Sequence, residues 1–263
     1  MPIAPSIVTE LGLSVTERAD RTLGRARIFP ELCAPGTTAV RTSVLAIWAD
    51  IVTGLTAAAS CPRIPLTSDL QVQVYRSATV GMDLVVEATT VKLGRTRSVF
   101  DARFVDADTG TVIADAYLSF VESADPAHVS DDLARGRVPA VTNLLAIDLA
   151  DRVCRRVIAP GTVEIPRSSD ALNLTGAIQG GLVALGAEEA TFSLADQPEI
   201  VVSMVIHYLR PFAVGQARCV AEGAGNAFVV RMTDDQTGKL GAVATIRTVH
   251  AESLAKVRHA SIA

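Results

Sequence analysis

CAPGTTAVRTSVLAIWADIVTGL (residues 33–55) and ALNLTGAIQGGLVALGAEEATF (residues 171–192) follow one plan. A small-residue loop runs into an apolar helix that carries a carboxylate near its middle. Aligning Arg41 with Gln179 sets Asp50 opposite Glu188, at an offset of 138 residues. Val40, Val44, Ile47, Trp48, Ile51 and Leu55 recur at helical spacing, and Leu45, Ala46 and Ala49 fill most of the remaining face. A helix apolar nearly all round is a buried one, expected over residues 40–58. Ile178, Leu182, Leu185 and Ala190 repeat the pattern over residues 177–191, where the helix opens on Gly180 and Gly181.

The correspondence extends outward. TSDLQVQVYRSATVG ends at Gly81 and EIVVSMVIHYLRPFAVG at Gly215, so Arg76 meets Arg210 at an offset of 134. FVDADTG (residues 104–110) meets MTDDQTG (residues 232–238) at an offset of 128. An offset that shrinks in steps is what shorter loops in a second copy produce. The runs after each helix alternate as strands do. In the first half these are Leu70, Val72 and Val74, then Leu84, Val86 and Ala88, then residues 99–105 and 112–121. In the second half they are residues 200–209, 217–222, 228–233 and 240–249, and DADTG and DDQTG read as hairpin turns. One further strand precedes each helix, near residues 23–29 and 162–166. Between the halves, ESADPAHVSDDLARGRVPAVTN carries Pro126, Gly136, Pro139 and charges of both signs, as a surface linker does, with a short helical turn expected near residues 131–135. The expected class is α+β: a domain over residues 1–123, a linker over 124–143 and a second domain over 144–263, each an antiparallel sheet wrapped around one long helix.

Composition narrows the function. Apolar residues make up 49% and charged residues 20%, with a net charge of -4 and no basic block, which argues against a nucleic-acid partner. Cys33, Cys61, Cys154 and Cys219 are widely spaced and form no CxxC pair, so buried reduced thiols are expected. The start, MPIAPSIVTELG, lacks the basic and apolar regions of a signal peptide, and residues 44–59 contain Asp50 and are short for a membrane span. A cytoplasmic protein without a membrane span follows. His128, His207, His250 and His259 show no metal-ligand spacing, so no metal site is expected, and His207 reads as a core residue of an apolar strand. No GxSxG occurs, and Gly223 and Gly225 are not followed by a helix, so neither a serine-hydrolase elbow nor a dinucleotide loop is expected.

The chemistry lies in the helices. Asp50 is the only charged residue between Arg41 and Arg63. A buried, unpartnered carboxylate costs on the order of several kcal/mol, so Asp50 belongs in a polar cleft, on donors, or on a narrow solvent-facing stripe. Glu188 holds the matching place, and register alone prefers it to Glu189. Gly180 and Gly181 either admit a ligand to the first amides of the second helix or merely permit close packing.

Asn173, then five residues, then Gln179-Gly180-Gly181, then a carboxylate seven residues on, resembles small hot-dog acyl-CoA thioesterases of the phenylacetyl-CoA thioesterase type. That family carries Asn, His-Gly-Gly and Asp at these places. The second half matches at Asn173, Gly180 and Gly181, with Gln179 for the His and Glu188 for the Asp, and the first half matches at Asp50. Two such halves in one chain are similar to the double hot-dog. The resemblance implies hydrolysis of acyl-CoA to free acid and CoA, with no cofactor. Eight residues separate Gly180 from Glu188, about 12 Å along one helix, so a single reacting carbon cannot touch both.

In the family the amide and the carboxylate come from opposite subunits. The implied composite site therefore joins Asp50 to Asn173, Gln179 and Gly180, with Gly181 beside the substrate. A second would join Glu188 to Pro35, Arg41 and Thr42. Arg76 and Arg210 are candidates for the CoA phosphates. Asp50 would act as general base or as nucleophile. A hot-dog protein that binds acyl-CoA or another acyl ligand without turnover, and a hydratase, remain as other readings. Trp48, Leu45 and Met204 are either tunnel lining or core. The fused pair is expected to form an internal dimer that associates further.

Overall fold

The computed structural model describes residues 6–17, 21–130 and 143–252. The first half contains β1 (Ser14–Glu17), β2 (Thr22–Arg27), α1 (Thr42–Ala58), β3 (Pro65–Val74), β4 (Asp83–Lys92), β5 (Ser98–Asp106) and β6 (Val112–Glu122). The second contains the short α2 (Leu149–Arg152), then β7 (Arg156–Ala159), β8 (Thr162–Ile165), α3 (Gly180–Phe192), β9 (Glu199–Tyr208), β10 (Ala217–Ala224), β11 (Ala227–Asp234) and β12 (Leu240–His250). All strands join one antiparallel sheet in the order β1-β2-β4-β5-β6-β3-β9-β12-β11-β10-β8-β7. The seam is the β3–β9 pair, where Gln71 faces Val205. These two residues correspond at the offset of 134, so a pseudo-twofold axis passes between them. Read outward from that seam, both arms show the same succession of strands.

Alternation explains most of the sheet. Leu70 and Val72 on β3, and Met204 and Ile206 on β9, are fully buried and point toward the helices. One irregularity changes the facing. The ladder shifts between Thr67 and Asp69, so Ser68 has no partner on β6, and it shifts again at β12 so that Val202 has none. Ser68 and Val202 are also 134 apart. Such a bulge reverses which residues point inward, and it turns the Thr67 hydroxyl toward α1, where it meets Asp50.

The helices begin later than their apolar periodicity implies. Val40 and Ile178 form isolated β-bridges, to Cys33 and Leu172, and helical structure starts at Thr42 and Gly180. Arg41 and Gln179 are therefore the N-cap residues. The hairpin turns form as read: Gly110 and Gly238 sit at φ +67° and +66° and donate to the carbonyls of Asp106 and Asp234. The edge strands β1 and β7 have mostly exposed residues and no apolar alternation, which is why the sequence does not announce them.

Two expectations need correction. His207 is exposed, because it shares the outer face with Val205 and not the inner face with Ile206, and its Nδ1 lies 2.6 Å from Asp69 Oδ1. Cys33 and Cys219 are buried thiols, whereas Cys154 is exposed and adopts φ +58°. The expected linker begins docked: Arg63 bridges Val129, and the amide of Ser130 donates to Pro62. The turn expected near residues 131–135 lies outside the described residues.

α1 and α3 cross in contact. A Cβ on Gly181 would collide with Ile47 Cγ1 and lie 3.0 Å from its Cα. Gly181 thus permits helix-on-helix contact, the packing alternative raised by the sequence, with a helix rather than the sheet as its neighbour. Gly181→Val is expected to cost about 3 kcal/mol or more, read as a fall in the urea midpoint with an unchanged m-value.

Candidate active site: two carboxylates with unlike surroundings

Asp50 lies in the middle of α1, where that helix meets the start of α3. Its Oδ1 accepts from Thr67 Oγ1 at 2.6 Å and its Oδ2 from Gln179 Nε2 at 3.1 Å. Asp50 is partly exposed as a residue, yet its carboxyl is surrounded by protein, and burial pushes its pKa up to about 6 against the lowering pull of the Thr67 hydroxyl. No cation pairs with it among the described residues. Gln179 works with both ends of its amide: Oε1 accepts from the amide of Leu182 at 3.1 Å and caps α3, while Nε2 holds Asp50.

The amides of Gly180 and Gly181 have no acceptor among the described residues, as the opening of a helix allows. Tyr208 adjoins them. Its hydroxyl donates to the carbonyl of Gly180 at 2.8 Å, and burial, with the Asp50 charge, keeps the phenol protonated by raising its pKa well above the ordinary value. That carbonyl and the Gly181 N–H belong to one peptide plane. Tyr208 therefore fixes the direction of this N–H, and a carbonyl that accepts a hydrogen bond polarises the N–H behind it.

Glu188 occupies the equivalent place on α3 and is fully buried. Its Oε1 accepts from the amides of Thr42 and Ser43 at 2.9 and 3.3 Å, and its Oε2 from Ser43 Oγ at 2.5 Å. The first amides of α1, counterparts of those of Gly180 and Gly181, are thus already filled by a carboxylate. Arg41, only 1% exposed, binds Glu189 Oε1 at 2.5 Å and Asp148 Oδ1 at 3.2 Å, and lies 3.6 Å from Glu188 Oε2. Arg155 closes the far side of Glu189. Thr42 spends its hydroxyl on the carbonyl of Val201 at 2.6 Å.

The residues singled out from sequence divide accordingly. Asp50, Gln179, Gly180 and Gly181 come together. Glu188, Arg41 and Thr42 also come together, but as a closed cluster with no surface left for a substrate. Asn173 does not reach Asp50: its Oδ1 accepts from the amides of Thr175 and Ala177 and shapes the loop before α3. Arg76 and Arg210 are both exposed, and Arg210 bonds the carbonyl of Leu240. Neither touches a carboxylate of the two sites. Trp48, Leu45 and Met204 are fully buried core. Thr67 and Tyr208 escaped the sequence reading. The bulge hides the first, but the repeat contains a signal for both, since their counterparts at offset 134 are the apolar Val201 and Val74.

Residues 42–113 match the thioesterase superfamily. This segment holds α1, Asp50 and Thr67. The hot-dog thioesterase fold also extends over nearly the whole chain. The 12:0-ACP thioesterase from Umbellularia californica is 13% identical and superposes with a TM-score of 0.63 over 88% of this chain and 94% of that one. The tesB protein of Mycobacterium avium subs paratuberculosis is 15% identical, with a TM-score of 0.60 over 93% and 98%. An acyl-ACP thioesterase from Bacteroides thetaiotaomicron is 11% identical, with a TM-score of 0.57 over 87% and 98%. No curated protein matches the sequence. No described helix is long and apolar enough to cross a membrane.

Proposed function

We propose that this chain is a double hot-dog thioester hydrolase with one working site, built on Asp50. The observation that carries the reading is the contrast between the two carboxylates. Burial raises the pKa of both, but Asp50 has no cation among the described residues and a neighbouring pair of unfilled amides, whereas Glu188 is held by Arg41 and by the amides of Thr42 and Ser43 in a closed cluster. The two domains are residues 1–123 and 144–263, and the site lies between them. Acyl-CoA is the substrate class, and the fused pair is a complete internal dimer free to associate further.

In the proposed reaction the thioester carbonyl lies against the amides of Gly180 and Gly181. Asp50, held by Thr67 and Gln179, takes a proton from water as the water oxygen bonds to the carbonyl carbon. The negative charge that develops on the carbonyl oxygen is stabilised by the two amides. Collapse breaks the carbon–sulfur bond, the thiolate leaves with the proton held by Asp50, and the free acid remains. Direct attack by Asp50 on the carbonyl carbon, giving an anhydride that water then opens, is the alternative route through the same residue.

Incubation with a panel of acyl-CoAs and a free-thiol readout is the primary test. Saturable binding without thiol release would support the ligand-binding alternative, and hydration of enoyl-CoA the hydratase. The pairing of the halves is tested by a double-mutant cycle in kcat/KM. Asp50→Asn and Gly180→Val are expected to combine to well under the product of their separate losses, because both act on one transition state. Thr42→Val is expected to combine with Asp50→Asn independently. Strong coupling of Asp50 to Thr42 instead would reverse the assignment. Tyr208→Phe is expected to lower kcat about tenfold with KM nearly constant, since it loosens an amide needed most in the transition state. Equal changes in kcat and KM would remove Tyr208 from that role.

A further inference from the structure

A cleft of about 320 Å³ opens beyond the C-terminal end of α1, between residues 60–65 and the β4–β5 connection. Arg63, Arg95 and Arg97 line it, together with Leu93, Pro65 and Cys61. Its charge is unbalanced. Glu122 is its one lining carboxylate and binds Arg63 at 3.2 Å. Arg97 reaches Asp69 on the neighbouring face at 2.9 Å. Arg95 is exposed and has no acidic partner among the described residues. The turn that presents Arg95 and Arg97 requires glycine at position 94, because a Cβ there would collide with the carbonyl oxygen of Arg97. Leu93, 55% exposed, adds an apolar wall. Clustered guanidinium groups beside an apolar surface suit a phosphorylated nucleotide: the forks take phosphate oxygens and the wall takes a base or ribose.

The position relative to Asp50 fits as well. Pro65 in the cleft is two residues from Thr67, which holds Asp50 at 2.6 Å, and that step spans about 7 Å along a strand. Ser60 in the cleft is ten residues beyond Asp50, about 15 Å along the axis if the helical rise is continued. The arm of coenzyme A between its sulfur and its diphosphate has about thirteen bonds and extends to about 15 Å at the reach of an extended chain of such bonds. The cleft therefore lies within the reach of that arm from a thioester held at Asp50.

We infer that this arginine cleft is the subsite for the phosphorylated nucleotide tail of the substrate, and that it makes the protein selective for coenzyme A thioesters over thioesters lacking the nucleotide. The inference rests on the hydrolase reading for its substrate and replaces Arg76 and Arg210 as phosphate partners. It implies that the nucleotide contributes to binding while the chemistry remains at Asp50.

The test uses the full chain and one acyl group presented on coenzyme A, on pantetheine and on acyl carrier protein. The native protein is expected to show at least a tenfold higher kcat/KM for the acyl-CoA than for the acyl-pantetheine. Arg95→Ala, at an exposed site with no acidic partner to strand, is expected to shrink that ratio about tenfold through KM, and Arg97→Gln to act likewise. Adenosine 3′,5′-bisphosphate is expected to compete with acyl-CoA, with a weaker inhibition constant in Arg95→Ala. A ratio near one in the native protein, or one unmoved by Arg95→Ala, overturns the inference while leaving thioester hydrolysis intact. A loss confined to acyl carrier protein substrates also overturns it. If no thioester of any kind is cleaved, the hydrolase reading fails. Calorimetric binding of coenzyme A that weakens in Arg95→Ala would then still support the cleft, and absence of such binding would reject it.

Discussion

Asp50→Asn is expected to lower kcat for thioester cleavage roughly a thousandfold, within the range known for removal of a general base, while the fold survives. The amide has one carbonyl oxygen, enough to accept from Gln179, and the Thr67 hydroxyl can rotate to accept from its NH2 group. Stability follows from the sign of the shift. Burial raises the Asp50 pKa from 3.8 to about 6. The folded state therefore prefers the protonated acid. The stability contributed by Asp50 is fully present below pH 3.8 and is lost as pH rises through about 6. Above that pH the neutral Asn carries no such cost, so the melting temperature of the variant at pH 7.5 is expected to equal or exceed that of the native protein. The same pKa governs the rate: kcat/KM in the native protein should rise with pH and level off above a midpoint near 6. An active Asn variant, or a flat profile between pH 5 and 7, would remove Asp50 from the chemistry.

Arg41→Ala should have the largest effect on folding. Arg41 is 1% exposed and faces Glu188, Glu189 and Asp148. Removing it leaves two buried carboxylates, with Arg155 alone to answer them on the side of Glu189. Breaking a buried ion pair by deleting one partner typically costs about 3–5 kcal/mol. For a chain of this size that is a drop in melting temperature of about 10 °C. The folded fraction should keep the acyl-CoA kcat, because the cluster lies at the closed site. A loss of kcat larger than the loss of folded protein would mean that the cluster also serves the Asp50 site. Glu188→Gln should likewise act on stability more than on turnover.

Much of this architecture is legible in the residues themselves. The two helices, the four strands after each and both hairpin turns follow from periodicity and from Asp-rich turns ending in Gly. The correspondence between halves reappears at the seam, where Gln71 and Val205, 134 residues apart, face each other. The site was legible only where it lay on a helix. Asp50 stood out because it interrupts an apolar stretch, and Gln179 because it takes the place of the His that the family carries before its two glycines. Thr67 did not, because the unpaired Ser68 reverses the facing of the strand and no alternation rule anticipates a bulge. The edge strands were missed for a related reason: with mostly exposed residues they carry no apolar stripe. His207 was misread because an apolar strand has two faces, and residue type alone does not say which one a histidine takes. Arg76 and Arg210 match in backbone as well as in sequence. In both halves two successive amides, of Tyr75 and Arg76 and of Leu209 and Arg210, share one carbonyl, that of Ile113 or Gly241.

Positions 50 and 188 sit in equivalent places on two helices but are separately encoded. In an assembly of identical subunits one codon writes both places, so a change that staples one helix to the next also silences every site. Here the acid at 188 is free to lock α1 to α3 while the acid at 50 has no cation beside it among the described residues. On the proposed assignment this is a division of labour along one gene: drift at residues 41, 42, 188 and 189 is expected to be judged by folding, and drift at residues 50, 67, 179 and 208 by turnover. A saturation-mutagenesis map scored for abundance and for activity should separate these two sets of positions.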